Sequence, residues 1–141
     1  MDKFPITLHT NDPQNVVVYF PADALAMSLP VTELGEHLIR LEAIPFMTDA
    51  ANFRDIIEVT RRTDGALEFR RVIEQSHWRI FTFVLAREGT ESTHMQAFCS
   101  RLSSMGCYWE RDFGGWFLVG VPPDMEVDLN DILAQMRGAI Q

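Results

Sequence analysis

The sequence has few cysteines and no long apolar run, and each shortage excludes a class of protein. Its two cysteines, Cys99 and Cys107, cannot form a disulfide framework, so a reducing compartment is the simpler assumption. Its apolar runs are far shorter than the roughly 20 residues that a membrane-spanning helix needs. The first ten residues contain Asp2 and Pro5 rather than the charged and then apolar layout of a secretion signal. We therefore expect a soluble cytoplasmic protein with no membrane partner.

Basic residues are also scarce relative to acidic ones. Twelve Lys and Arg stand against 20 Asp and Glu, so the net charge is -8 at pH 7. This charge repels a phosphate backbone, which argues against nucleic acid as a partner, and it attracts cationic surfaces such as that of a basic protein. Alternatively, the negative charge serves only to keep the protein soluble. With 47% apolar residues, the 141-residue chain can form a core in one ordinary domain or in two very small ones.

The first half of the chain predicts short antiparallel strands. Asn15 to Phe20 is β-branched and aromatic between two prolines, and His37 to Ile44 alternates like a half-buried strand. Pro21 to Gly35 contains two prolines and a glycine and is interpreted as an irregular connection.

A tight turn is predicted at Asp64-Gly65, between strand-like runs at 55–62 and 66–75. Asp-Gly between such runs is a strong hairpin signal because both central residues can take positive φ. The resulting four strands either curl into a small barrel-like sheet or form a partly open one.

The second half predicts a β-α-β-β-α order. The elements are a strand over Trp78–Ala86 with both faces covered, an amphipathic helix that Gly106 stops, a hairpin of 107–112 and 116–121, and a helix from Asp128. This order is one strand short of the split β-α-β unit, and a strand from the first half could complete it. The predicted fold is α+β: N-terminal antiparallel, small-barrel-like strands (1–76) followed by a ferredoxin-like half (77–141), as two parts or one continuous domain.

Several segments together resemble a bacterial family catalogued only as a domain of unknown function. They are Leu41-Glu42-Ala43-Ile44-Pro45-Phe46, Arg54-Asp55-Ile56-Ile57, Asp64-Gly65 followed by Leu67-Glu68-Phe69, and Met105-Gly106-Cys107 leading to Val121-Pro122-Pro123-Asp124. The resemblance implies a two-part α+β layout and no catalytic residue. The family often has a glycine in the turn after the fourth strand, where this chain reads Glu74-Gln75-Ser76-His77-Trp78. A looser likeness to toxin-immunity proteins is one of size and charge, not of motif.

No arrangement of nucleophiles or metal ligands in the sequence predicts chemistry. His94 and Cys99 lie five positions apart on the predicted helix, so their side chains point in different directions. Ser76-His77 lacks a nucleophile elbow and is interpreted as a polar turn. Cys99, Cys107 and His94 lack the closely paired spacing of a zinc site. We therefore expect no enzyme activity, no metal and no cofactor.

The hairpin over 107–121 contains the candidate binding site. Five aromatic residues fall within ten positions, and strand alternation cannot bury all of them on one side. An exposed Trp109 or Phe113 beside acidic residues has the composition of a protein-binding hot spot; if all are buried, they are core. The candidate partner-binding residues are Tyr108, Trp109, Glu110, Asp112, Phe113 and Trp116. Glu110 and Asp112 could also serve acid–base chemistry, although a solvated strand face is the simpler interpretation.

A second acidic patch is expected, as a solvated face, near Glu33, Glu36, Asp49, Asp55 and Glu58. From charge, size and the aromatic hairpin, the function hypothesis is a non-enzymatic bacterial interaction protein, specifically an immunity protein that binds and neutralises a basic toxin. The alternative is a regulatory or small-molecule-binding α+β module. The oligomeric state is left open.

Overall fold

The computed structural model describes residues 13–84, 93–112 and 115–126, with Asp131 and Ala134. The side chains of Thr93, His94 and Asp112 are not part of that description. The chain divides into two compact units, Met1–His77 and Trp78–Gln141.

The first unit contains a closed five-stranded barrel. Its strands are β1 (Gln14–Phe20), β2 (Leu25–Glu33), β3 (Leu38–Leu41), β4 (Ile56–Arg61) and β5 (Leu67–Glu74). Successive strands pair antiparallel, and β1 closes the barrel by pairing in parallel with β5 at Val18 and Leu67. Two irregularities of register in β4–β5 accompany this curvature, as bulges do in barrels. The predicted small barrel is confirmed, in its closed form.

The barrel interior is filled by alternate residues of every strand. The most deeply buried are apolar: Val18, Phe20, Leu29, Val31, Ile39, Leu41, Ile57, Val59 and Leu67. Because side chains alternate across a strand, the residues between these point away from the interior.

Strand β2 lies within the segment that the sequence indicated was irregular, so that interpretation is wrong. A single 3-10 turn, Pro21–Asp23, ends at Ala24 in the left-handed region with φ 49°, and β2 follows at once. Pro30 is tolerated inside the strand because pairing with β3 begins only at Val31, beyond the missing N–H.

The hairpin predicted at Asp64-Gly65 is present, with a different turn. The Arg62 N–H donates to the Ala66 carbonyl (2.8 Å), and the Gly65 N–H donates to the Arg62 carbonyl (3.0 Å). Gly65 alone of the central residues has positive φ, at 93°. This is a three-residue loop in which glycine supplies the single left-handed position, rather than a two-residue turn with two such positions.

The second unit places a helix on one face of a three-stranded sheet. The elements are β6 (Arg79–Val84), α1 (Thr93–Ser104), β7 (Tyr108–Asp112) and β8 (Trp116–Val121), and the strand order is β6-β8-β7. The core between helix and sheet consists of Met95, Phe98, Cys99, Leu102, Cys107, Phe117, Val119 and Val121. Asp131 and Ala134 are helical, and the rest of the helix predicted from Asp128 lies outside the described residues.

Candidate functional site

The candidate hairpin begins where α1 ends. The Cys107 N–H donates to the Leu102 carbonyl (3.0 Å) and the Gly106 N–H to the Ser103 carbonyl (3.1 Å), which is the Schellman pattern of helix termination. Gly106 has φ 88°, so the predicted left-handed stop is confirmed. The apolar residues on either side of the stop, Leu102 and Cys107, both lie in the core, and this packing aims the chain into β7.

Pairing of β7 with β8 divides the predicted site between two faces of the sheet. Trp109 lies opposite Val119, on the face that α1 covers. Tyr108 lies opposite Gly120, and Glu110 lies opposite Leu118, on the other face. The alternation inferred from the sequence therefore separates the aromatic residues as expected.

Trp109 is half-buried and packs against the core. Its ring stacks on Phe117 with centroids 6.1 Å apart, and its indole N–H donates to the Ser103 hydroxyl at 2.8 Å. The Arg111 guanidinium lies 5.6 Å from the ring centroid, within cation–π range. These contacts fix the ring, and through them Trp109 helps to hold α1 on the sheet.

The opposite face joins an aromatic residue to a carboxylate. The Tyr108 hydroxyl donates to Glu110 Oε2 at 2.9 Å, and both side chains are half-buried. Gly120 allows this packing, because a Cβ there would meet side-chain atoms of Ile80 and Trp78 at 3.4 Å and Tyr108 at 3.6 Å. Trp116 is half-buried on the same face, directly opposite Asp112.

Four of the six predicted site residues thus have described side chains. Tyr108, Glu110 and Trp116 share one face, while Trp109 occupies the other. Phe113 lies outside the described residues, and only the backbone of Asp112 is described. Leu118 lies on the face of Tyr108, Glu110 and Trp116, between them, and is fully buried.

The two thiols are buried and free. Burial raises the pKa of Cys99 and of Cys107, and the charges of Arg111 and Arg79 offset only part of that rise. Both cysteines lie in the core of the second unit. Within the described parts of the chain, no three His, Cys, Asp or Glu side chains are grouped to hold a metal ion.

The comparison with protein families decides the chain's affiliation. The family model for the domain of unknown function DUF4265 matches residues 28–140. The chain belongs to the DUF4265 family. The resemblance to an uncharacterised family drawn from the sequence is therefore confirmed.

One solved structure shares the fold of this DUF4265 protein. It is a novel crystal structure of a hypothetical protein from Neisseria gonorrhoeae, with a TM-score of 0.59 and 17% sequence identity, covering 90% of this chain and 88% of that one. No curated protein matches the sequence. In the part of the chain that the structure describes, no helix has the length and apolar character needed to cross a membrane.

Two of the segments that carry the family resemblance meet in the barrel unit around Glu42. Glu42 Oε2 accepts hydrogen bonds from the Thr32 hydroxyl and the Arg40 Nε, each at 2.7 Å, and Oε1 accepts one from Arg54 Nη1 at 2.7 Å. Burial raises the pKa of Glu42, but the bonds from Thr32 and Arg40 and the nearby Arg54 charge outweigh it and lower the pKa overall. Glu42 was not among the predicted site residues, because its partners come from two strands and a loop.

A second hydrogen-bond network involves Ser76, near the end of the barrel unit. Asp55, 3% exposed, accepts the Asn52 N–H (2.9 Å) on one carboxylate oxygen and the Ser76 N–H (2.8 Å) on the other. The Ser76 hydroxyl donates to the Phe53 carbonyl at 2.5 Å. Ser76 is therefore a structural residue, and His77 follows it in the left-handed region with φ 62°.

The expected acidic patch is smaller than predicted. Asp55 is buried in the network with Ser76, and Glu58 accepts a hydrogen bond from Arg71 at 2.8 Å. Exposed acids remain at Glu33, Glu36 and Asp49.

Proposed function

We propose that this DUF4265 protein is a non-enzymatic protein-binding module of the bacterial cytoplasm. The observation that carries the proposal is the face of β7 and β8 turned away from α1, where Tyr108, Glu110 and Trp116 lie together. The core of the second unit uses Trp109 and Phe117 and leaves these three side chains half-buried on the other face. Aromatic side chains beside carboxylates are typical of sites that anchor and orient a protein partner.

The net charge of -8 supports a basic protein as the partner. A basic protein surface is drawn to this charge over long range, and Glu110 and Asp112 add negative charge at the hairpin itself. A toxin domain with a basic surface fits these requirements, and the DUF4265 protein in that case acts as the immunity protein that occludes it.

We also infer that the second unit has the ferredoxin-like arrangement. Support comes from β6 and β7, which both pair antiparallel with β8 and are therefore parallel to each other with β8 between them. Helix α1 connects these parallel strands, as a helix does in a split β-α-β unit. The hairpin would then be a fixed part of a rigid sheet and would need little reorganisation to bind.

A capture experiment tests the proposed function. The DUF4265 protein is tagged and co-expressed with the product of the adjacent gene, and capture is measured at physiological salt. We expect the wild type to retain the neighbour and the double variant Glu110→Lys/Asp112→Lys to lose it. The matched control is Glu36→Lys/Asp49→Lys, which changes net charge equally at exposed residues of the barrel unit.

Failure of the wild type to form a complex contradicts the function. Equal loss in both double variants contradicts the site, because net charge alone then accounts for binding. A metabolite that raises the melting temperature in a thermal-shift screen, with no protein captured, supports the small-molecule module instead.

A further inference from the structure

The two edge strands of the second unit differ in how they are protected. The order β6-β8-β7 places β6 and β7 at the edges, and among the described strands none pairs with the outer edge of either. In the barrel, by contrast, each of the five strands pairs with a neighbour on both sides. Strand β7 contains Glu110, Arg111 and Asp112, and charged residues are the usual means of keeping an edge from pairing with another chain.

Beyond Arg79 at its start, strand β6 has no such protection. It contains no charged residue from Ile80 to Val84, and Thr82 and Val84 are exposed, Val84 to 69%. The expectation that both faces of this strand are covered is therefore wrong at these two positions. An apolar edge strand of this kind is a template for a further strand.

We propose that β6 pairs antiparallel with β6 of a second copy of this chain, about a two-fold axis at Thr82. Directly opposite residues of an antiparallel pair lie on the same face. Pairing with β8 shows that Ile80, Thr82 and Val84 share one face and that Phe81 and Phe83 share the other. The axis at Thr82 places Ile80 opposite the second copy's Val84 and Phe81 opposite its Phe83, which is a self-complementary apolar register.

Charge favours a second copy over the basic partner at this edge. The segment from Ile80 to Val84 offers no carboxylate to a cationic protein, whereas the hairpin does. Two chains of net charge -8 repel each other, but no acidic residue lies on β6, and the register opposes no like charges. Strand β7, at the other edge of the sheet, stays available in such a dimer, so that each copy can take its own partner.

Sedimentation analysis over a range of concentrations tests the dimer. We expect the wild type to dimerise and Thr82→Lys to be monomeric, because two lysines then oppose each other across the axis. The matched control Thr60→Lys changes an exposed threonine of barrel strand β4 and should dimerise like the wild type. A mixture of Thr82→Lys with Thr82→Glu should recover the dimer. A monomeric wild type, or a Thr82→Lys protein that dimerises normally, overturns the proposal.

Cross-linking fixes the register independently. Oxidation of Thr82→Cys with glutathione disulfide should join two copies through one disulfide while the glutathione is reduced, and Thr60→Cys should stay monomeric under denaturing electrophoresis. The native thiols are buried and do not compete. A folded Thr82→Cys protein that yields no covalent dimer overturns the register. Slow amide exchange along the outer edge of β6 in a monomeric protein overturns the dimer itself, because it would mean that the chain covers this edge.

Discussion

Glu42 is held as a carboxylate by residues that are distant in sequence. Its burial opposes ionisation, but the hydrogen bonds from Thr32 and Arg40 and the charge of Arg54 lower its pKa below the ordinary value. A carboxyl group whose pKa is lower in the folded chain than in the unfolded one stabilises the fold above the unfolded pKa. That stabilisation is lost as pH falls through the folded pKa, and the group contributes to acid unfolding.

We expect Glu42→Gln to lower the free energy of unfolding at pH 7 by about 2 kcal/mol, because it leaves two partly exposed arginines without their carboxylate. At a pH below the folded pKa of Glu42, the difference from the wild type should shrink, since the wild-type residue is then protonated as well. Urea unfolding at both pH values measures this, with the exposed Glu36→Gln as control. A difference of equal size at the two pH values contradicts the assignment.

His77 has a backbone conformation that is unfavourable for residues other than glycine. Its φ of 62° lies in the left-handed region, which costs an ordinary residue about 1–2 kcal/mol. Glycine removes that cost but loses about 0.5–1 kcal/mol through chain entropy. We therefore expect His77→Gly to raise the free energy of unfolding by about 0.5 kcal/mol and His77→Val to lower it by more than that. Thermal unfolding that ranks His77→Val above His77→Gly would be inconsistent with the left-handed backbone.

At the scale of an element, the termination of α1 at Gly106 should contribute to the stability of the fold. Gly106 has φ 88°, and a Cβ there meets nothing within 4 Å, so a substitution is strained by backbone conformation alone. We expect Gly106→Ala to lower the free energy of unfolding by about 1–2 kcal/mol and Gly106→Asn by less. Denaturant unfolding of the three proteins gives the order. Equal stability of all three would contradict the Schellman assignment.

Elements with strong local signals were predictable from the sequence. The helix that ends at Gly106 and the two strands around Gly114-Gly115 are both indicated by residues close together in sequence. The structure has the helix and the two strands at the predicted places. The Asp64-Gly65 turn was located correctly for the same reason.

Strand β2 was missed because its assignment depends on the ladder around it. Taken alone, Pro30 indicates a loop. In the closed barrel it precedes Val31, the first residue that pairs with β3, so the N–H that proline lacks is not needed for that pairing. Glu42 was missed for a similar reason, since Arg54 is 12 residues away and reaches the carboxylate only when the chain returns from β3 to β4. Long-range pairing decided both features, and one sequence gives little information about it.

At the scale of the whole molecule, the chain is a DUF4265 protein with a closed five-stranded barrel and a three-stranded sheet that carries a helix. The aromatic and acidic residues of the hairpin were predictable as a set, but their division between two faces required the register of β7 against β8. That register assigns Trp109 to the core side and leaves Tyr108, Glu110 and Trp116 as the surface to test.

The most direct test of partner binding through this face is the association rate with the adjacent gene's product at low and at high ionic strength. For Glu110→Lys/Asp112→Lys we expect a rate about tenfold lower than that of Glu36→Lys/Asp49→Lys at low salt, with the difference largely removed at high salt. The two double variants carry the same net charge, so only the position of the charge distinguishes them. Equal association rates for the two at low salt would contradict binding through the hairpin.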